Sequence, residues 1–294
     1  MPDEACPASP EPSALGNGLV LVSTPIGNLD DLSPRAKATL LTADLVLCED
    51  TRHSARLIAT TGAKAKLAPL HEHNEDAAIP AVLQQLRQGK RIALISDAGV
   101  PLVSDPGYRL VRAALAEGLP VTAVPGANAA VTALVLSGLP PLPFLVLGFP
   151  PPRQAARRAA IGRLRAAERA GLTATMVWYE APHRLRETLA DMADAFGPRQ
   201  AAVARELTKR FEEVRRGTLS ELAAHYRDHA ARGEVTVVVG PAEQDDPEDL
   251  DGQLRTALAG NSVKDAAALV AAATGLPRKL VYARALALAA SQEP

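Results

Sequence analysis

The sequence predicts an α/β protein: two α/β domains with a cleft between them, followed by a small helical C-terminal domain. Three observations carry this. Short β-branched and Leu-rich runs alternate with amphipathic stretches, the order that builds a largely parallel sheet covered by helices. A proline cluster (Pro140, Pro141 and Pro143) separates two parts of similar style. An acidic, proline-containing stretch, PAEQDDPEDLD, then precedes purely helical sequence. The chain has 294 residues, which suits two domains of ordinary size and an appendage.

Residues 1–17 are Pro-rich and slightly acidic, without the basic start and apolar core of a signal peptide, and read as a flexible tail. Residues 18–139 form the N-terminal α/β domain, with strands expected at Gly18–Ser23, Leu45–Cys48, Lys66–Pro69, Arg91–Ile95 and Pro120–Val124. Ser33-Pro34 supplies an N-cap and a first-turn proline, and Gly62, Gly89, Gly118 and Gly138 stand where helices should end. Residues 140–240 form the second α/β domain, with strands at Phe144–Phe149, Ala174–Tyr179, Gln200–Arg205 and Val235–Val239. Residues 241–251 read as an acidic linker. Residues 252–294 form the helical extension, with helices at Leu254–Ala259, Ser262–Ala273 and Arg278–Ala290. Alone, that extension is near the lower size limit for independent folding. The strongest apolar run, Ala127–Leu139, is broken by Ser137 and Gly138, so no membrane span is expected.

Composition narrows function. With 32 Lys+Arg against 33 Asp+Glu, a generally basic nucleic-acid protein is excluded and any RNA footprint must be local. Two cysteines, Cys6 and Cys48, exclude a disulfide framework and a cysteine-based zinc site. One Trp, four Tyr and four Phe are too few for a platform that stacks many bases. Reduced cysteines without an export signal point to the cytoplasm.

Open α/β sheets bind ligands at the carboxyl ends of their strands, and the unusual residues cluster there. After the first strand comes Thr24-Pro25-Ile26-Gly27-Asn28, where Pro25 and Gly27 force a turn and Gly27 removes a side chain that would block a ligand. Neither G-x-G-x-x-G nor G-x-x-x-x-G-K-[ST] occurs, which disfavours a Rossmann dehydrogenase and a P-loop NTPase. After the second strand, Glu49-Asp50-Thr51-Arg52-His53 is either a solvated helix start capped by Asp50 or an oriented pair with a proton-moving histidine. His71-Glu72-His73-Asn74-Glu75 lacks the further ligands a metal needs, and no metal is expected. The most informative loop is Ser96-Asp97-Ala98-Gly99-Val100-Pro101-Leu102-Val103-Ser104-Asp105-Pro106-Gly107. Asp97 directly after a strand suits a cationic group or a ribose hydroxyl; Asp105-Pro106 also reads as a helix cap. Pro125-Gly126-Ala127-Asn128-Ala129 allows a helix start to approach a ligand closely, and WYEAPHR and ARELTK follow strands of the second domain.

TPIGNL, EDTRH, SDAG-x-P…SDPG, PG-x-x-A and ARELTK, in this order, resemble the ribosomal RNA small subunit methyltransferase I family, within the tetrapyrrole-methylase-like class. The resemblance spans about Leu19 to the last helix. It implies S-adenosylmethionine as cofactor and 2′-O-methylation of a cytidine ribose in the decoding region of 16S rRNA in the small ribosomal subunit, on the assembled 30S particle. It implies two α/β domains of tetrapyrrole-methylase type with the cofactor between them, and a helix-turn-helix-like C-terminal extension. Carried over by motif, Pro25, Gly27, Asp97, Ala98, Pro101, Leu102, Ser104, Asp105, Ala129, Tyr179 and Glu180 would contact the cofactor. Val100 stands where the family usually has Thr, and Ala127-Asn128 where Pro-Ser or Pro-Cys is common, so side-chain hydrogen bonds are not carried over there. Enzymes of this class are often dimers, which makes a homodimer an open expectation.

A ribose 2′-hydroxyl is a weak acid, so the site should help remove its proton. Glu206 and Lys209, a carboxylate and an ammonium three residues apart, are the candidate catalytic pair; a structural ion pair is the plain alternative. RNA needs positive charge, and Arg153, Arg157, Arg158 and Arg163 in an Arg-rich helical stretch are the candidate contacts. A tetrapyrrole methyltransferase and a non-enzymatic RNA-binding module are the competing readings; the basic stretch opposes the first and the polar post-strand loops the second.

Overall fold

The computed structural model describes residues 17–242, 247–274 and 276–290. Of the expected N-terminal tail, residues 1–17, all but Asn17 lie outside them. The chain divides into two compact units at Ala133–Leu134, and the segment Arg205–Glu213 belongs to the first unit.

In the first unit, β1 (Gly18–Val22), β2 (Leu45–Cys48), β3 (Lys66–Pro69), β4 (Arg91–Ile95) and β5 (Val121–Val124) form one sheet in the order β3-β2-β4-β1-β5. Every pairing is parallel. The two-residue pleat sorts the side chains. Leu19, Leu45, Leu47, Ile92 and Leu94 pack with Leu83 and Leu86 of α3 (Glu75–Arg87) and Leu110 of α4 (Tyr108–Ala116). Val20, Val22, Val46, Ala93 and Ile95 pack on the other face with Ala36 and Leu40 of α1 (Pro34–Thr42) and Ile58 of α2 (Thr51–Thr61). Both faces are covered, which is why these strands read as unbroken apolar runs. The chain leaves β1 toward β2 and leaves β4 toward β5, in opposite directions. The topological switch point therefore lies between β1 and β4.

Ser33 caps α1, accepting a hydrogen bond from the Ala36 amide at 3.1 Å, with Pro34 at the first helical position. Asp105-Pro106 does not cap α4. That helix starts at Tyr108 after Gly107, whose φ is 121° and whose added Cβ would lie 2.5 Å from Leu94 Cδ2. The α4 N-terminus is instead satisfied from α3: buried Glu75 accepts the Leu110 amide at 3.0 Å and pairs with Arg109 at 3.3 Å.

In the second unit, β6 (Phe144–Val146), β7 (Thr175–Glu180), β8 (Gln200–Arg205), β9 (Glu213–Thr218) and β10 (Val235–Val239) form a mixed sheet in the order β6-β7-β10-β8-β9. β6 and β7 pair parallel, whereas β7 and β10 pair antiparallel. Its core joins Met176, Trp178, Val203 and Val237 to Ile161 of α6 (Gln154–Arg169), Leu189 and Met192 of α7 (Leu185–Phe196) and Leu222 of α8 (Leu219–Asp228). A reciprocal capping box between Thr218 and Glu221 starts α8.

The Arg-rich stretch is α6, and here one expectation is corrected. Arg157 is only 1% exposed. Its Nε donates to Asp191 Oδ2 of α7 at 2.7 Å, with Glu187 at 3.6 Å. One helical turn before Ile161, it falls on the face that α6 turns to the core, so it offers no charge to an RNA. Arg153, Arg158 and Arg163 are exposed, and Arg158 pairs with Asp194 at 3.1 Å.

The C-terminal helices are α9 (Pro247–Leu258), α10 (Val263–Thr274) and α11 (Arg278–Ala290). α9 begins inside the stretch read as linker; residues 243–246 lie outside the described residues. Leu254, Ala267, Val270, Val281 and Ala285 form a core of their own, and Arg284 binds Asp251 at 2.5 Å. Among the described residues, no helix is long and apolar enough to cross a membrane.

Arg157→Ala removes the nearest cation from the buried Asp191 carboxylate, leaving Gln154 at 3.3 Å and Arg158 at 3.6 Å. Removing one partner of a buried ion pair costs about 3–5 kcal/mol, and urea denaturation should show a loss of that size.

Candidate active site

The loops after β1 and β4 meet at the switch point. The Thr24 amide donates to the Gly99 carbonyl at 2.9 Å, and the Gly99 amide returns to the Thr24 carbonyl at 3.2 Å. Thr24 Oγ1 donates to Ser96 O at 3.2 Å and Ser96 Oγ to Gly99 O at 3.0 Å. Both side chains are buried. Pro25 and Pro101 are buried beside this clasp, whereas Gly27 and Ala98 are exposed.

Asp97 follows immediately. Its Oδ1 is sealed from solvent and meets no protein donor. The Asp105 carboxyl is pushed up to about 7, first by burial and then by the Glu49 and Asp97 carboxylates. Burial, with the charges of Asp97 and Asp50, also raises the Cys48 thiol. Two residues of the same loop, Leu102 (φ 70°) and Ser104 (φ 69°), hold left-handed backbone without being glycine, a strain of the order of 1–3 kcal/mol each that concentrates at functional loops. Crowded carboxylates with an unsatisfied buried oxygen suit a ligand that brings positive charge or hydroxyl donors.

Asp50 caps α2, accepting the Arg52 amide at 2.8 Å, and pairs with the Arg52 side chain at 3.3 Å. The amide and guanidinium of Arg52 hold its carboxyl below the usual range. This is the plain helix-start arrangement. His71 and His73 stand 6.2 Å apart, and among the described residues no group of three or more His, Cys, Asp or Glu converges on a metal position. In the loop after β5, Asn128 Oδ1 accepts the Val131 amide at 3.0 Å as α5 (Ala129–Ser137) begins, which leaves Ala129 half-buried at its first position.

The segment Arg205–Glu213 completes the first unit. The Asn28 amide donates to Thr208 Oγ1 at 3.1 Å, and Glu212 accepts the Thr208 amide at 2.7 Å. Glu206 (φ 52°) and Thr208 (φ 64°) are left-handed. Lys209 Nζ lies 2.9 Å from Glu206 Oε1. The space at Gly27 is filled from within the protein: a Cβ there would stand 2.5 Å from Lys209 Cγ. Gly27 is therefore the residue that lets the Lys209 stem cross the β1 loop. Thr208 lies within the ARELTK motif, but nothing local marks it as the threonine that bonds an amide 180 positions away.

Tyr179 and Glu180 lie in the second unit. Tyr179 packs against Phe149, ring centres 5.6 Å apart. Glu180 is buried; its carboxylate accepts the Ala181 amide at 2.7 Å and Thr188 Oγ1 at 2.5 Å and pairs with Arg184 at 2.6 Å. These bonds anchor the start of α7.

Residues 18–223 match the family model described as Tetrapyrrole (Corrin/Porphyrin) Methylases. The same fold occurs in uroporphyrin-III C-methyl transferase from Thermus thermophilus, solved in complex with S-adenyl homocysteine: TM-score 0.53, 20% identity, 76% of this chain and 97% of that one. Fold and post-strand loops thus define a methyltransferase of the tetrapyrrole-methylase class. Residues 244–289 match the RsmI C-terminal HTH domain. A ribosomal RNA small subunit methyltransferase I of Mesorhizobium japonicum is 45% identical over 274 residues, 92% of each chain. One of Pseudomonas aeruginosa is 45% identical, covering 91% of this chain and 96% of the relative. The chain belongs to the ribosomal RNA small subunit methyltransferase I family, whose cofactor is S-adenosylmethionine. The site fits that group: its cationic centres and ribose hydroxyls match the charge and donors that Asp97 and Asp105 lack.

Between the ordinary carboxylate value of 3.8 and about 7, folded Asp105 retains a proton that the unfolded chain has lost. Stability therefore falls as pH rises through that window. Asp105→Asn removes this dependence, so its stability relative to wild type should increase from pH 4 to pH 7 and then level off in urea titrations. A difference independent of pH would contradict the buried acid.

Proposed function

We propose that this protein methylates the 2′-hydroxyl of a cytidine in the decoding region of 16S rRNA, acting on the assembled 30S subunit in the cytoplasm. Identity to the rRNA methyltransferases across nearly the whole chain supports the RNA substrate. The buried, donorless Asp97 Oδ1 supports the cofactor's place at the β1/β4 edge.

Bound S-adenosylmethionine supplies an electrophilic methyl group on a sulfonium centre. In this reading Asp97 and Asp105 face its cationic and hydroxyl groups. Pro25, Ala98, Pro101, Leu102, Ser104 and Ala129 shape the wall through backbone and apolar contact. Holding nucleophile and methyl in line supplies most of the acceleration. The rest is proton removal: the Glu206 carboxylate accepts the ribose proton, and the Lys209 ammonium 2.9 Å away orients that carboxylate. Exposed Arg153, Arg158 and Arg163 meet the phosphates, and Lys264, Arg278 and Lys279 of the C-terminal helices add charge.

Lys209→Ala should lower turnover on purified 30S subunits about 100-fold with cofactor affinity, read by calorimetry, within about two-fold. Turnover like wild type would reduce the pair to a structural one. Arg153→Glu with Arg163→Glu should weaken 30S association and flatten its salt dependence while leaving stability unchanged, because both side chains are exposed. Mass-spectrometric mapping of 30S and free rRNA after reaction tests the substrate itself; a methyl group elsewhere than a cytidine ribose would overturn the proposal.

A further inference from the structure

The segment that carries Glu206 and Lys209 also carries Phe211, which at 66% is more exposed than Tyr108 at 61%, Phe149 at 54% and Tyr282 at 40%. A single exposed ring is ordinary. This one differs in how it is presented. The loop is held by the Asn28–Thr208 and Thr208–Glu212 bonds, and the Glu212 amide donates to Lys209 O at 3.1 Å. Two left-handed non-glycine residues show that these contacts determine its backbone. The ring is therefore displayed on a fixed loop. The Arg210 guanidinium lies over the ring, 5.5 Å from its centre. An exposed aromatic face with an adjoining guanidinium is the chemistry that binds an unstacked nucleobase: the ring offers a π surface and the cation attracts the flanking phosphate or base face.

We propose that Phe211, with Arg210, stacks on one nucleobase of the RNA substrate at or next to the nucleotide whose ribose is methylated, and so holds it out of its helix. This rests on the rRNA reading above and deepens it. The same short segment carries both the base-stacking ring and the Glu206–Lys209 pair, so capture of a base brings the RNA to the loop that bears that pair. Being mostly solvent-exposed, Phe211 contributes little to the core, and its replacement leaves the fold intact.

The test compares Phe211→Ala, Phe211→Leu, Phe211→Tyr and Phe211→Trp with wild type. Readouts are binding of 30S subunits and of a single-stranded oligoribonucleotide carrying the methylated sequence, calorimetric titration with S-adenosylmethionine, and sedimentation. Stacking of one base predicts RNA binding about 5- to 100-fold weaker for Phe211→Ala, a similar loss for Phe211→Leu, recovery in the Tyr and Trp variants, and cofactor affinity unchanged. Phe211→Trp should also show emission quenched by the oligonucleotide, over a constant background from Trp178, which at 3% exposure is shielded from it. Equal RNA binding by wild type and Phe211→Ala overturns the proposal, as does full binding by Phe211→Leu. Unchanged RNA binding with an altered sedimentation coefficient would assign the ring to a contact with a second copy of the chain. A wild-type protein that binds no rRNA would overturn the rRNA reading itself.

Discussion

The reciprocal backbone pair between Thr24 and Gly99 is the constraint on which the site depends. β1 and β4 are neighbours whose chains leave in opposite directions, so the ladder between them should end where the strands end. Buried amides and carbonyls beyond that point need partners. The two loops supply each other with one further rung, reinforced by Thr24 Oγ1 and Ser96 Oγ. With those backbone groups engaged, Asp97 is left with an oxygen that the protein does not satisfy.

Glu75 shows why that oxygen matters. It is a carboxylate of the same unit and buried to 3% exposure, yet Arg109 and the Leu110 amide satisfy it. Glu75 holds two helices together. Asp97 and Asp105 sit among other carboxylates, and Asp105 meets its surroundings by retaining a proton. The contrast separates carboxylates that complete the fold from carboxylates awaiting a partner from outside it.

Much of this was legible in the sequence. Strands buried on both faces appear as apolar runs, and Gly62, Gly89, Gly118 and Gly138 all take positive φ where helices end. The five post-strand loops of the first sheet stand out because their polar and turn-forming residues interrupt that pattern. What was missed depends on long-range contact. β9 (EVRRGT) is a charged edge strand, so neither apolar content nor alternation marks it. Arg157 looked like its exposed neighbours because a charged letter does not reveal that a buried acid on α7 faces it. Asp105-Pro106 carries the local signature of a cap, but Gly107 and Glu75 set the start of α4. The balance of 32 basic against 33 acidic residues averages over an anionic loop cluster, an Arg-rich helix and an acidic stretch that runs into α9.

The first unit is not a continuous piece of chain. Arg205–Glu213 enters it after β8 has already been laid down and is followed by β9. On the ribosome, residues 18–133 can therefore complete their sheet while the Asn28 amide still lacks Thr208 and the groove over Gly27 still lacks Lys209. The Glu206–Lys209 ion pair arrives only with the later part of the chain. A nascent or truncated product ending before residue 206 has the β1/β4 clasp but neither the Asn28–Thr208 bond nor the Glu206–Lys209 pair, so the first unit is finished only when synthesis is well past its last strand.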